Sequence, residues 1–153
     1  MRPSYITGFT DGEGCFSISF NYRSKLKTGI EVRPSFSISQ NAKSLSVLKE
    51  IKNYFGVGKI RFSNKDNTYK YEVRSLTDLS EVIIPHFKDY PLFTSKRHDF
   101  EIFSDICNKM QKGLHFHVKS LRAIIKKTFL MNPSGKRKVQ QEDLLKYMNK
   151  VKI

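Results

Sequence analysis

The sequence predicts an α+β domain with one four-stranded, mostly antiparallel sheet and helices on one face of it. Apolar and polar residues alternate along four segments, which is the period of a half-buried strand. Elsewhere apolar residues recur with the period of an amphipathic helix. The chain has 153 residues, of which 39% are hydrophobic, and a chain of this size can bury one core without disulfides.

The first half of the chain is predicted to run helix, strand, strand, helix. Pro3 favours a first helical turn, and a glycine is typical where a helix ends, as at Gly56. The first helix must end at Gly12 or Gly14. The predicted elements are a helix over residues 3–12, strands over residues 15–24 and 30–40, and a helix over residues 43–55.

The second half continues with two strands and then helices only. The predicted strands cover residues 57–63 and 68–75, and the predicted helices cover residues 76–87, 95–112, 116–130 and 140–150. The first seven elements therefore follow the order αββαββα, which we class as α+β. We expect residues 1–130 to form the core, and residues 131–153 to form a linker and a C-terminal helix packed on or beside it.

The charge of the chain points to a polyanionic partner. The formal net charge is +14 at pH 7, and a folded domain this basic is typical of nucleic-acid-binding proteins. An anionic membrane is the second candidate, but no long basic amphipathic helix favours it. No window of about 18 residues is apolar and uncharged, which argues against a membrane span. Two cysteines, Cys15 and Cys107, predict reduced thiols in an intracellular, reducing compartment.

The polar sides of the four predicted strands are strongly basic. Only Glu31 and Glu72 interrupt a set of side chains that can contact phosphates and base edges. A plain solvated sheet face is the alternative interpretation. The candidate DNA-binding residues are Ser17, Ser19, Asn21, Arg23, Arg33, Ser35, Ser37, Lys59, Arg61, Lys70 and Arg74.

Two acids lie where the first helix meets the first strand, in the segment Asp11-Gly12-Glu13-Gly14. Carboxylates at a helix C-terminus face the negative end of the helix dipole, which is unfavourable. Carboxylate and carbonyl oxygens are the ligands that Mg²⁺ takes. The segment therefore indicates either a divalent cation site or a simple surface turn.

The segment Ile6-Thr7-Gly8-Phe9-Thr10-Asp11-Gly12-Glu13-Gly14 resembles the motif that names the LAGLIDADG homing endonucleases. Gly56-Val57-Gly58 before a basic strand and the stretch from Tyr90 to Arg97 agree with that family. The resemblance covers roughly residues 4–130. It implies the αββαββα LAGLIDADG fold, whose sheet binds double-stranded DNA, and a divalent-metal-dependent DNA endonuclease.

The resemblance also assigns roles to single residues. Glu13 matches the acid that binds metal, and the carbonyl of Gly12 usually contacts the metal as well. Asp11 matches an acid that tends to be structural. Gln40 resembles a polar residue that positions water. Lys96 looks like the basic residue at the scissile phosphate, with Arg97 as the alternative. The implied cofactor is Mg²⁺ or Mn²⁺, with Ca²⁺ as a non-catalytic substitute.

The motif occurs once in this sequence, and family members with one motif act as homodimers. The resemblance therefore implies a dimer in which the motif helices pack through Gly8 and Thr7, with a staggered cut in a long, near-palindromic site. Gly8 and Gly12 are four residues apart, a spacing that lets two helices approach closely. A half of a two-motif enzyme is the alternative.

Other functions on the same fold stay open at this stage. An RNA-binding intron maturase would need the basic surfaces but not the acids of the motif. A non-catalytic DNA-binding protein would need neither metal nor Glu13. Intron RNA is therefore a further candidate partner, and an organelle or a prokaryotic cytoplasm are both compatible compartments.

Overall fold

The computed structural model describes residues 1–151 of the chain. The sheet and the helices that enclose it are α1 Pro3–Glu13, β1 Gly14–Tyr22, β2 Ile30–Asn41, α2 Leu45–Phe55, β3 Lys59–Ser63 and β4 Thr68–Val73. The remaining helices are α3 Leu76–Asp78, α4 Ile84–Asp89, α5 Lys96–Gln111, α6 Val118–Thr128 and α7 Gln141–Lys150. Within residues 1–151, no helix is long and apolar enough to span a membrane.

The four strands form one sheet in the order β1-β2-β4-β3, and every neighbouring pair is antiparallel. Because side chains alternate across a strand, the even-numbered residues of β1 and β2 point to one face. That face is buried under the helices, as Phe16, Ile18, Val32, Phe36 and Ile38 are all less than 10% exposed. The predicted α+β class and four-stranded antiparallel sheet are confirmed.

Aromatic rings fill the space between the sheet and the helical layer. The ring of Phe16 lies at their centre, with its centroid 5.1 Å from Phe36, 5.3 Å from Phe87, 5.2 Å from Phe100 and 5.3 Å from Phe103. Such pairs each contribute about 0.5–1.5 kcal/mol beyond the area they bury. They join β1 to β2, α4 and α5.

The regular helix predicted over residues 76–87 is wrong in one respect. A π-helical turn over Leu79–Ile83 separates α3 from α4. Pro85 follows two residues after the end of this turn, and proline has no N–H to donate to the carbonyl of Glu81 four residues earlier. A wider turn relieves the clash of the proline ring with that carbonyl, so the interruption has a local cause in the sequence.

The turn from α1 into β1 contains no linker residue. Glu13 ends the helix, Gly14 begins the strand, and the Gly14 N–H donates to the carbonyl of Thr10. A Cβ at Gly14 would lie 2.5 Å from Thr10 Cγ2 and 2.9 Å from its carbonyl oxygen. Glycine is therefore required there by close packing.

The segment after α6 is tied to the core by one arginine. Arg137 donates to the carbonyls of Ile18, Thr128 and Met131 at 3.2, 2.8 and 3.0 Å. Its guanidinium also lies 4.7 Å from the ring centroid of Phe129. Beyond it, α7 buries Leu144 and Met148.

Replacing Arg137 with alanine should destabilise the fold without touching the sheet face. The change leaves three backbone carbonyls without their charged donor, and hydrogen bonds to charged groups contribute about 1.5–3 kcal/mol. We expect Arg137→Ala to lower the free energy of unfolding by about 2 kcal/mol in urea denaturation. The exposed neighbours Lys136 and Lys138 are matched controls, and alanine there should change it by less than about 0.5 kcal/mol. Equal effects at all three positions would contradict the role of Arg137.

Candidate nucleic-acid interface and acidic centre

The outward face of the sheet collects the side chains that the alternation predicted. The pairing register places the odd-numbered residues of β1, β2 and β3 and the even-numbered residues of β4 on this face. Arg23 and Arg74 lie one residue beyond β1 and β4, and Ser37 is only 9% exposed. The exposed or half-buried members are Ser17, Ser19, Asn21, Arg23, Arg33, Ser35, Lys59, Arg61, Lys70 and Arg74.

One carboxylate is buried in the middle of this face. Glu72 is 7% exposed and accepts hydrogen bonds from Ser35 Oγ at 3.1 Å, Arg74 Nε at 3.0 Å and Arg61 Nη2. Burial raises the pKa of Glu72, but the hydrogen bond and charge of Arg74, with Ser35 and Arg61, outweigh it, so that the pKa lies below its usual value. The sequence showed Glu72 only as an interruption in a basic pattern.

Asp11, the first acid in the last turn of α1, binds a loop. Asp11 Oδ2 accepts from the backbone N–H of Phe93 at 2.8 Å. Its Oδ1 accepts from the N–H and the hydroxyl of Thr94 at 3.2 and 2.8 Å. Burial raises the pKa of Asp11. These hydrogen bonds and the charge of Lys96 lower it by a larger amount, so the pKa lies below its usual value. Asp11 thus ties α1 to the loop that precedes α5.

The second acid of the motif is free. Glu13 is exposed, and within residues 1–151 its carboxylate has no hydrogen-bond or ion-pair partner. Gly12 beside it is also exposed, with no heavy atom within 4 Å of the place where a Cβ would lie. A free carboxylate suits Mg²⁺ as a ligand, as does a carbonyl in the last turn of a helix, which has no intrahelical hydrogen-bond partner. Across the described part of the chain, no three His, Cys, Asp or Glu side chains cluster to hold a metal, so one copy supplies a partial ligand set.

Two basic residues follow the loop, and the structure separates them. Lys96 Nζ donates to the carbonyl of Gly14, directly after the acidic turn. Arg97 instead pairs with Glu101, Nε to Oε1 at 3.2 Å, on the exposed side of α5. We call Glu13 and the adjacent Gly12 carbonyl the acidic centre, and Lys96 is the basic group beside it.

Gln40 lies near the end of β2, beside the start of β1, where Glu13 directly precedes the strand. Gly14 pairs with Ile38, and β2 runs antiparallel past that point, so Gln40 extends in the direction of Glu13. Gln40 shares the face of Ile38 and is half-buried. The pairing thus places Gln40 at the end of the sheet where Glu13 precedes β1, and the contact of Lys96 with the Gly14 carbonyl places Lys96 at the same end.

One side of α1 carries no cover. Tyr5 is 49% exposed, Gly8 and Gly12 are exposed, and neither glycine has a heavy atom within 4 Å of an added Cβ. Phe93, whose N–H binds Asp11, is 91% exposed. This surface, formed by Tyr5, Gly8, Gly12 and Phe93, is the free face of α1.

Thr7 does not belong to that face, which corrects the expectation that it packs against a second motif helix. It is 4% exposed, and its hydroxyl donates to the carbonyl of Tyr90 at 3.0 Å. His86 Nε2 lies 3.3 Å from the same hydroxyl, and His86 Nδ1 lies 3.2 Å from the Tyr54 hydroxyl. Thr7 therefore anchors α1 to its own chain, and, as the residue before Gly8, it lies about 100° around the helix from that glycine.

His86 serves as a neutral connector in this anchor. Since the Thr7 hydroxyl gives its hydrogen to Tyr90, it accepts from Nε2–H, and Nδ1 accepts from Tyr54. Burial disfavours the imidazolium and lowers the pKa of His86 to about 4. Nothing local in the sequence indicates this connection, because the partners of His86 are 32 and 79 positions away.

Comparisons with known proteins identify the family to which this fold belongs. The family model described as LAGLIDADG endonuclease matches residues 6–107. A probable intron-encoded endonuclease 2 of Neurospora crassa is 35% identical over 133 residues, which cover 86% of this chain and 29% of that protein. The homing endonuclease I-ApeII of Aeropyrum pernix is 31% identical over 152 residues, which cover 95% of this chain and 89% of that protein.

A solved structure shares the fold over nearly the whole chain. It is the archaeal intron-encoded homing endonuclease I-Vdi141I complexed with DNA, with a TM-score of 0.89 and 30% identity, covering 97% of this chain and 95% of that chain. The present chain nevertheless spans only about a quarter of the length of several curated relatives that it matches.

The buried histidine should make stability depend on pH. His86 is neutral in the fold and has an ordinary pKa of about 6.5 when unfolded, so protonation favours the unfolded chain. Its contribution is complete above about pH 6.5 and is lost as pH falls toward 4. As pH falls from 6.5 to 4.5, protonation of His86 in the unfolded chain should lower the free energy of unfolding of the wild type by about 2 kcal/mol. We expect His86→Gln to lack this decrease, as measured by urea denaturation at each pH. His98, an exposed histidine on α5, is the matched control site, and His98→Gln should keep the wild-type slope. An unchanged slope in His86→Gln would show that His86 titrates normally.

Proposed function

We propose that this chain, which belongs to the LAGLIDADG endonuclease family, is a sequence-specific homing endonuclease. In this proposal it acts as a homodimer and makes a staggered double-strand break in a long, near-palindromic DNA site. The observation that carries it is the free carboxylate of Glu13 at the edge of a sheet whose outward face is basic. DNA binding and phosphodiester hydrolysis need these two features side by side.

The sheet is proposed to lie in the major groove of one half-site. β2 has 12 residues, which span roughly 40 Å at about 3.3 Å each. This length matches about 12 base pairs, at about 3.4 Å each along one strand. Lysines and arginines on the outward face would contact phosphates, while Ser, Asn and Arg side chains can read base edges.

The acidic centre is proposed to perform the hydrolysis. Glu13 and the Gly12 carbonyl would hold Mg²⁺ or Mn²⁺, which supplies charge neutralisation at the phosphate and lowers the pKa of a bound water. Lys96, held by the Gly14 carbonyl, would place its ammonium where charge develops on the scissile phosphate. Gln40 at the same edge would orient the attacking water. Arg97 is not needed, since Glu101 already engages it.

The homodimer is proposed to form through the free face of α1. Gly8 and Gly12 let two helix backbones approach, and small residues at this spacing favour such packing. Twofold symmetry would bring two Glu13 carboxylates together, and each copy would complete the other's partial ligand set. Two carboxylates brought together in this way repel each other unless a cation lies between them.

The protein is also proposed to work where intron-bearing DNA is kept, since several relatives are named intron-encoded endonucleases. The intracellular, reducing compartment expected from the cysteines stays a prediction. Intron RNA stays a candidate partner, to be tested beside DNA.

Removing one carboxylate should abolish cutting while DNA binding survives. We expect Glu13→Gln to lower the cleavage of a randomised duplex library in Mg²⁺ by at least about 100-fold, because it loses the charge that holds the cation. Sequencing the cut ends of the wild type gives the site and its symmetry. Glu50→Gln, an exposed acid on α2, is the control and should cut normally.

Cutting by Glu13→Gln at the wild-type rate would contradict the catalytic assignment. No cutting by either protein, with RNA or duplex still retained, would replace it with the maturase or the non-catalytic binding function.

A bulky side chain on the free face of α1 should separate the dimer. We expect Gly8→Leu to fold normally, since the space beside Gly8 is open in one copy and leucine favours a helix over glycine. Sedimentation should then give the mass of one chain and cleavage should be lost. Ala123→Leu on the exposed side of α6 is the control. A wild type that sediments as a monomer would instead favour one half of a two-motif enzyme.

A further inference from the structure

Glu72 occupies an unusual place for a carboxylate on a DNA-binding face. Its side chain is 7% exposed, whereas Glu31, the other strand carboxylate on that face, is 30% exposed. It also borders two grooves, one toward β3 and one toward β1 and the segment after α6. A negative charge here weakens the attraction of the face for phosphates, so it needs a compensating role.

The bonds of Glu72 fix two guanidinium groups by different edges. Arg74 donates to Oε1 through Nε at 3.0 Å, while Arg61 donates to Oε2 through Nη2. Ser35 Oγ donates to Oε1 from β2 at 3.1 Å. One carboxylate thus joins residues of β2, β3 and the end of β4 into a single cluster.

Both arginines keep donors free for a ligand. The side chains of Arg61 and Arg74 are 57% and 50% exposed, and each guanidinium has five N–H donors, of which Glu72 takes only part. The bidentate contact of arginine with guanine needs two donors in a fixed plane. An arginine whose plane is already fixed loses less side-chain entropy when it makes that contact.

Stability alone is a weak reason for this cluster. Half-exposed ion pairs contribute little to stability, and part of what these pairs contribute is used to offset the cost of taking the carboxylate out of water. Glu72, Arg61 and Arg74 together carry one net positive charge. The two arginines without Glu72 would carry two positive charges and would attract any phosphate more strongly.

We propose that Glu72 is a positioning residue that sets DNA sequence specificity, by holding Arg61 and Arg74 in planes that read base edges at the cost of non-specific attraction. The proposal rests on the proposed function of the basic face as a DNA-binding surface. It predicts that specificity and non-specific affinity move in opposite directions when the charge of Glu72 is removed.

The test compares two matched variants on two DNA probes. Wild type, Glu72→Gln and Glu31→Gln are each bound, in Ca²⁺ to prevent cutting, to a random-sequence duplex and to the duplex that wild type selects from a randomised library. We expect Glu72→Gln to bind the random duplex a few-fold more tightly, because it gains one positive charge. Its preference for the selected duplex should fall at least about fivefold, because a bidentate arginine contact contributes about 1–3 kcal/mol of discrimination.

Glu31→Gln makes the same change of charge beside a single exposed arginine, Arg23. It should raise random-duplex binding equally but keep the preference within about threefold of wild type. Arg61→Lys is the second variant, since it keeps both charges and the ion pair but removes the planar fork. It should lose the preference without gaining random-duplex affinity, and it covers the case in which Glu72→Gln does not fold.

The outcomes separate the two proposals. If wild type selects a duplex and both Glu72→Gln and Arg61→Lys keep the wild-type preference, Glu72 has only a structural role and the inference is overturned. If wild type selects no sequence, the proposed sequence-specific function fails together with the inference.

Discussion

The direct joining of α1 to β1 at Gly14 is the constraint on which the candidate site depends. A Cβ at this position would overlap Thr10, so the helix and the strand meet at one fixed angle with no residue between them. Glu13 is therefore the last residue of a helix and the neighbour of the first residue of a strand. Asp11 and Lys96 hold the loop before α5 against the same turn, and the acidic centre needs no flexible segment to reach the sheet edge.

Electrostatics on the outward face are more selective than the net charge suggests. A charge of +14 explains attraction to a polyanion, which is independent of sequence. Glu72 neutralises part of that positive charge within the protein, at the centre of the sheet rather than at its rim. In the proposed function, general attraction would come from the exposed lysines and arginines around it, while the oriented pair at the centre would favour particular base edges.

The sequence predicted most of the fold because its signals are periodic and local. Alternation located all four strands, and the outward set of eleven residues falls on one face. The π turn before Pro85, the contacts of His86 and the carbonyls bound by Arg137 were not predictable in the same way. The contacts of His86 and Arg137 depend on residues that only the folded chain brings together, as with Arg137 and Ile18, which are 119 positions apart. The π turn has a local cause, Pro85, which the periodicity does not show. The motif located the acidic turn, whereas the positions of Lys96 beside Gly14 and of Arg97 beside Glu101 follow only from the contacts of the folded chain.

The two sides of α1 show why the helix is both fixed and available. Thr7 points inward and binds Tyr90 beside neutral His86, so α1 cannot rotate or slide without breaking a buried polar contact. The free face of α1 presents Gly8 and Gly12 with open space beside them. Glycines in a helix interior cost about 1 kcal/mol each relative to alanine, a cost that this side of α1 does not recover within one copy. A second helix packed closely against the free face would recover it through contacts that larger residues would block. The same packing would set the distance between two Glu13 carboxylates, so the placement of Thr7 in one copy would fix the geometry of a centre shared by two.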